Sequence, residues 1–200
     1  MKTDKTEKKM IMRRMTAMLI GLMLCVPLIS QAAYTTPAGA DKIFRESFYF
    51  YVPWQRTIYG SGMEASIYED AVIDGHNYRF SVHGNGSYIA EISLYGWYPD
   101  LKMREAEFTT GLYAFNYVLW TLQDVMDPKV YEGLRDVLDA YDVYYLLKNG
   151  SYNGEKLTRY QGWNFMTMKK KMIEACHDDG AYFILSVDNN RFSFYCNPIR

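Results

Sequence analysis

Between Ser61 and Tyr98 apolar and polar residues alternate through two legible turns, which commits the chain to a fold containing an antiparallel meander. Tyr78, Phe80 and Val82 share one strand face, and Arg79, Ser81 and His83 share the other. After Gly84-Asn85-Gly86 a second alternating run carries Tyr88, Ala90, Ile92 and Leu94 on one face. A two-residue loop at Asn85-Gly86 would oppose Val82 to Ile89 and Phe80 to Glu91, so the apolar faces would disagree. A three-residue loop opposes Val82 to Tyr88, Phe80 to Ala90 and Tyr78 to Ile92. That is the expected register, because a slip of one residue turns every side chain over.

Asp74-Gly75 is a strong signal for a two-residue type I′ turn. It opposes Ala71 to Tyr78, Ile67 to Val82 and Asp70 to Arg79, and Arg79 then stands between Asp70 and Glu91. The expected role is a cross-strand charge ladder worth up to about 1 kcal/mol per pair, and the alternative is a polar binding face. The same register points Glu69 inward, opposite Phe80. A buried, unpaired carboxylate costs several kcal/mol or takes up a proton. A bulge at Glu69-Asp70 is expected to rotate it outward; otherwise it faces a cavity and has a task there.

The chain opens on Lys2, Lys5, Lys8, Lys9, Arg13 and Arg14, followed by an apolar run from Met15 to Ile29 and by Ser30-Gln31-Ala32-Ala33. This order predicts a signal peptide over 1–32 with cleavage before Ala33. The apolar run is fifteen residues, short of the roughly 20 that span a bilayer, so no transmembrane anchor is expected after cleavage. The destination is periplasmic or extracellular. Loss of 1–32 removes six basic and two acidic residues and leaves a chain about five charges negative. That balance argues against nucleic acid as a partner. It also removes Cys25, leaving Cys176 and Cys196 as an even pair in an export context, for which a disulfide is expected.

Residues 33–42 read as a flexible N-terminal arm and 43–200 as a single domain. Phe44 to Val52 alternates like a strand that Pro53 ends. Phe108, Leu112, Phe115, Leu119, Leu122 and Met126 fall at helical spacing. Asp127-Pro128 marks the cap of a second helix that runs to Asn149-Gly150, with Val130, Leu134, Val137, Leu138, Tyr141 and Tyr145 inward. Trp163 to His177 reads as a third helix with Phe165, Met168, Met172 and Cys176 in its buried stripe. Asn189-Asn190 turns a final hairpin, opposing Val187 to Phe192, Leu185 to Phe194, Phe183 to Cys196 and Asp188 to Arg191. The expected fold class is therefore α+β: an antiparallel sheet of N-terminal strand, three-strand meander and C-terminal hairpin, packed on one face by about three helices.

Catalytic motifs are scarce. His76, His83 and His177 lack metal-ligand spacing, so no metal or cofactor is expected. The sequence has no Gly-x-Ser-x-Gly elbow, P-loop or dinucleotide fingerprint. The acid–base pair that can be assembled is Glu69 with His83, which would suit a small secreted hydrolase. The leading expectation is a non-catalytic binding or envelope-accessory protein. All nineteen tyrosines follow residue 33, and Trp54, Trp97 and Tyr98 are the candidate platform for a carbohydrate or peptide ligand.

Overall fold

The structure, a computed structural model, describes residues 36–47, 53–73, 75–97, 109–188 and 191–198. Residues 1–35 with Cys25, Phe48 to Val52, Tyr98 and Phe108 lie outside the described residues. The elements run α1 (Pro37–Ser47), β1 (Gln55–Tyr59), a short 3-10 turn (Gly62–Glu64), β2 (Ser66–Ile73), β3 (His76–Gly84) and β4 (Ile89–Trp97). Three helices follow: α2 (Thr109–Val125), α3 (Pro128–Val137) and α4 (Ala140–Asn149). The chain then returns through β5 (Arg159–Tyr160), β6 (Trp163–Lys169), β7 (Met172–His177), β8 (Tyr182–Asp188) and β9 (Arg191–Asn197).

The class is α+β, with one nine-stranded antiparallel sheet in the order β1-β2-β3-β4-β9-β8-β7-β6-β5. Two meanders, β1 to β4 and β5 to β9, are zipped at the middle where β4 pairs with β9, Leu94 opposite Phe194. The helical segment between them carries the chain to the far edge, from which the second meander walks back to β4. Ile67, Phe80, Val82, Ile92, Leu94, Phe183, Leu185 and Phe194 line one sheet face and are buried. All but Ile67 join Phe44, Phe115, Leu122, Leu134 and Leu147 of the helices in one core.

Two predicted registers hold. Ala71 opposes Tyr78, Ile67 opposes Val82 and Asp70 opposes Arg79, with Gly75 at φ +79° as a type I′ turn requires. In the last hairpin Val187 opposes Phe192, Leu185 opposes Phe194 and Phe183 opposes Cys196. The β3–β4 register differs. Val82 meets Ile92, Phe80 meets Leu94, and Arg79 meets Tyr95 instead of Glu91. A bulge beside Gly84 lengthens the loop, and Asn85 closes it by accepting from the Ser87 and Tyr88 amides, each at 3.0 Å. Gly84 is required there, because a Cβ would overlap the Met63 carbonyl oxygen.

Three local assignments are corrected. Residues 37–42 are not an arm, nor 44–47 a strand, because α1 runs through both. Thr36 Oγ1 accepts from the Gly39 amide at 3.0 Å and Pro37 fills the first helical position, the same start device as Asp127-Pro128. The expected third helix is the β6–β7 hairpin, turned at Lys170-Lys171 with Lys171 at φ +67°. A bulge between Phe165 and Thr167 breaks the strand alternation and leaves a false helical spacing. The expected second helix is two helices, separated at Leu138-Asp139. The break rotates the buried stripe, so Val143, Tyr144, Leu146 and Leu147 are buried while Tyr145 is exposed.

With the hairpin in place, Cys176 and Cys196 are free thiols and not a bridge. Cys176 opposes Tyr182 and Cys196 opposes the next residue, Phe183, so the two cysteines occupy opposite sheet faces with β8 between them. Two strand spacings are about 10 Å, beyond the reach of a disulfide. Burial pushes the Cys196 thiol above its ordinary value.

Candidate functional site

Alternation that buries one set of side chains must present the other, and here the presented set is polar and aromatic. A groove of about 1490 Å³ crosses the outer face from Gln55 on β1 through β2, β3, β4 and β9 to Ser186 on β8. Its lining includes Tyr68, Asp70, Arg79, His83, Glu91 and Tyr95.

Register explains the assembly. Asp70 and Arg79 are cross-strand partners, and the guanidinium grips the carboxylate at both oxygens, Nε to Oδ1 at 2.7 Å and Nη2 to Oδ2 at 3.0 Å. This fork raises the Arg79 pKa and fixes the plane of the guanidinium. The same guanidinium lies 5.4 Å from the Tyr68 ring centre, and His83 meets the other side of the cluster edge-on at 5.1 Å from Tyr68. Beneath them Ser81 and Ser93 face one another across β3 and β4 and are buried, with their hydroxyls 2.6 Å apart. Tyr95 is 44 % exposed and presents its ring to the groove. Farther along the same face, Glu174 accepts from Tyr182 Oη at 2.7 Å and from Thr167 Oγ1 at 3.0 Å.

The residues expected to form a site are scattered. Trp54 turns toward the core, edge-on to Phe44 at 5.2 Å. Trp97 pairs its backbone with Arg191, and Tyr98 lies outside the described residues. Glu69 and His83 do not form a pair. His83 is on the outer face beside Tyr68, whereas Glu69 is on the inner face opposite Phe80 and fully buried. No bulge turns Glu69 outward, since pairing runs unbroken from Ser66 to Ile73.

Glu69 instead meets Asp41 of α1, which is equally buried. Arg56 of β1 lies 2.6 Å from Asp41 Oδ2 and 3.5 Å from Glu69 Oε1, and Arg45 of α1 lies 3.8 Å from Glu69 Oε1. Burial, then the hydrogen bond and charge of Asp41, push the Glu69 carboxyl up to about 7 against the pull of the two arginines.

The sequence joins Asp70, Arg79 and Glu91 as a charge ladder, with a polar binding face as the alternative, and does not single out Tyr68 or Tyr95. The signal was present in the two-residue turn, which places Asp70 against Arg79. Tyr95 joined them only through the bulged loop. Among the described residues no cluster of His, Cys, Asp and Glu could hold a metal ion, and no helix is long and apolar enough to cross a membrane. Comparison of the chain with family models, with curated proteins and with solved structures finds no match.

Proposed function

We propose that this protein is an exported, non-catalytic binding protein that holds a carbohydrate across the outer face of its sheet. The observation that carries the reading is the groove itself: an exposed Tyr95 ring beside the rigid Asp70–Arg79 fork, with Glu91, His83 and Ser193 along the walls. A sugar presents an apolar ring face and pairs of hydroxyls. An aromatic ring covers the first, and a planar fork of charged donors and acceptors meets the second. Both charges of the fork are neutralised by one another, which suits a neutral ligand better than an ionic one. His83 on the outer face and Glu69 on the inner face do not form the acid–base pair on which the hydrolase alternative would rest.

A glycan array run beside a peptide array tests this reading. The expected result is binding to a set of neutral glycans, weakened about tenfold or more by Arg79→Ala, since a hydrogen bond to a charged group contributes about 1.5–3 kcal/mol. Tyr95→Ala is expected to weaken it comparably. Binding only to peptides, or glycan binding indifferent to both substitutions, overturns it. Export has its own test. The secreted or periplasmic form is expected to begin at Ala33 by mass spectrometry, and an intact leader on exported material contradicts the proposal.

A further inference from the structure

We propose that α1 is held to the sheet by a single proton shared between Asp41 and Glu69, making this helix a latch that loosens as its surroundings turn from acid to alkaline. The geometry begins with two carboxyls from different elements, Asp41 on α1 and Glu69 on β2, both essentially without exposure. Apart from the bond between the two carboxyls, none of their four oxygens accepts an aligned hydrogen bond among the described residues. Arg56 and Arg45 stand at ion-pair distances of 2.6 to 3.8 Å, but they approach from the partly exposed rim. The carboxyls are left to hydrogen-bond each other, and two carboxyls do so only with a proton between them.

Among the described residues the groups around the pair offer no other proton source. On α1, Lys42 and Glu46 pair with each other at 3.6 Å on the solvent side. The 3-10 turn contributes Glu64, which is exposed. On β3 the residue opposite Glu69 is Phe80, and Arg79 and His83 lie on the other sheet face. On α2 the sequence holds no charged residue before Asp124. Besides the ion pairs of Arg56 with Asp41 and Arg45 with Glu69, α1 meets the sheet through Phe44 stacked on Phe80, with ring centres 3.8 Å apart and an interplanar angle of 6°. The proton is thus the titratable part of the docking.

The direction follows from a carboxyl held at about 7 when docked and at its ordinary 4.5 when solvated. Stabilisation from such a group is complete below the ordinary value, declines between the two, and is lost once the pH passes the docked value. Between pH 5.5 and 8.5 this amounts to about a 30-fold weakening of the docking equilibrium. If the protein is exported, as proposed above, that range separates acidic from alkaline surroundings.

Amide hydrogen exchange of the full chain, corrected for intrinsic rates, reads the latch. Protection of residues 37–47 is expected to fall about 30-fold from pH 5.5 to 8.5, while protection of β8 and β9 changes by less than about threefold. Glu69→Gln supplies a permanent amide donor to Asp41, and its α1 protection is expected to stay level across the same range. Loss of protection that persists in Glu69→Gln, or α1 protection in the unaltered chain that does not move with pH, overturns the proposal. Carboxyl carbon NMR of the unaltered chain needs no substitution: Glu69 is expected to titrate near 7, and a midpoint near 4.5 overturns the proposal equally.

Discussion

Replacing Trp163 with alanine is expected to destabilise the protein by about 4 kcal/mol, the range for deleting a fully buried large aromatic. Trp163 is wholly buried at the start of β6. Its ring meets Phe183 and His177 edge-on, each at 5.2 Å between centres, and its Nε1–H donates to the Val130 carbonyl of α3 at 3.1 Å. The substitution therefore opens a cavity under α3 and removes a bond that ties the helical segment to the second meander. Gly133 of α3 packs so closely on the ring that a Cβ there would lie 3.1 Å from Trp163 Cδ1. Urea unfolding followed by circular dichroism checks the value, with the slope unchanged and the midpoint shifted. A loss below about 1 kcal/mol would mean that β6 does not carry Trp163 into the core.

Replacing Arg56 with methionine is expected to cost about 3 kcal/mol at pH 8, and visibly less at pH 5. The long apolar stem is kept and only the charge is removed. Arg56 is the nearest cation to both buried carboxyls, at 2.6 Å from Asp41 and 3.5 Å from Glu69. Leaving a buried charge uncompensated costs about 3–5 kcal/mol, and the lower end applies because Arg56 is itself partly exposed and Arg45 remains. The pH dependence comes from Glu69. Its raised pKa means that acid returns the proton and lowers the repulsion that the missing guanidinium had balanced. Denaturation midpoints of the variant and the unaltered chain at the two pH values check both the size and the sign. An equal penalty at pH 5 and pH 8 would contradict the account of the pair.

The β2–β3 and β8–β9 hairpins were legible because their turns and their side-chain alternation are independent signals that agree. Asp74-Gly75 and Asn189-Asn190 each specify a loop length, and each loop length brings apolar faces together. The inward position of Glu69 was legible for the same reason, although its cost argued for a bulge. What resolved the cost, Asp41 and Arg56, is supplied by α1 and β1, and no local pattern in β2 could reveal them. The helical start at Thr36-Pro37 went unread, because Pro37 reads as part of a flexible arm and alternation from Phe44 to Val52 points to a strand, although residues 44–47 are helical. The β6–β7 hairpin was hidden by its bulge, which offsets Phe165 and Met168 into a helix-like spacing. The groove needed the tertiary step of setting β9 beside β4, a pairing across about a hundred residues that only the assembled sheet specifies.

The most direct measurement on the proposed binding face is calorimetric titration of the strongest array glycan into four proteins: the unaltered chain, Arg79→Ala, Tyr95→Ala and Tyr145→Ala. Tyr145 is exposed on α4, away from the groove, and serves as the control. The expected result is one Kd shared by the unaltered chain and Tyr145→Ala, with Arg79→Ala and Tyr95→Ala each weaker by about tenfold or more. Equal affinity in all four proteins, or a loss confined to Tyr145→Ala, would contradict a carbohydrate site on the outer face of the sheet.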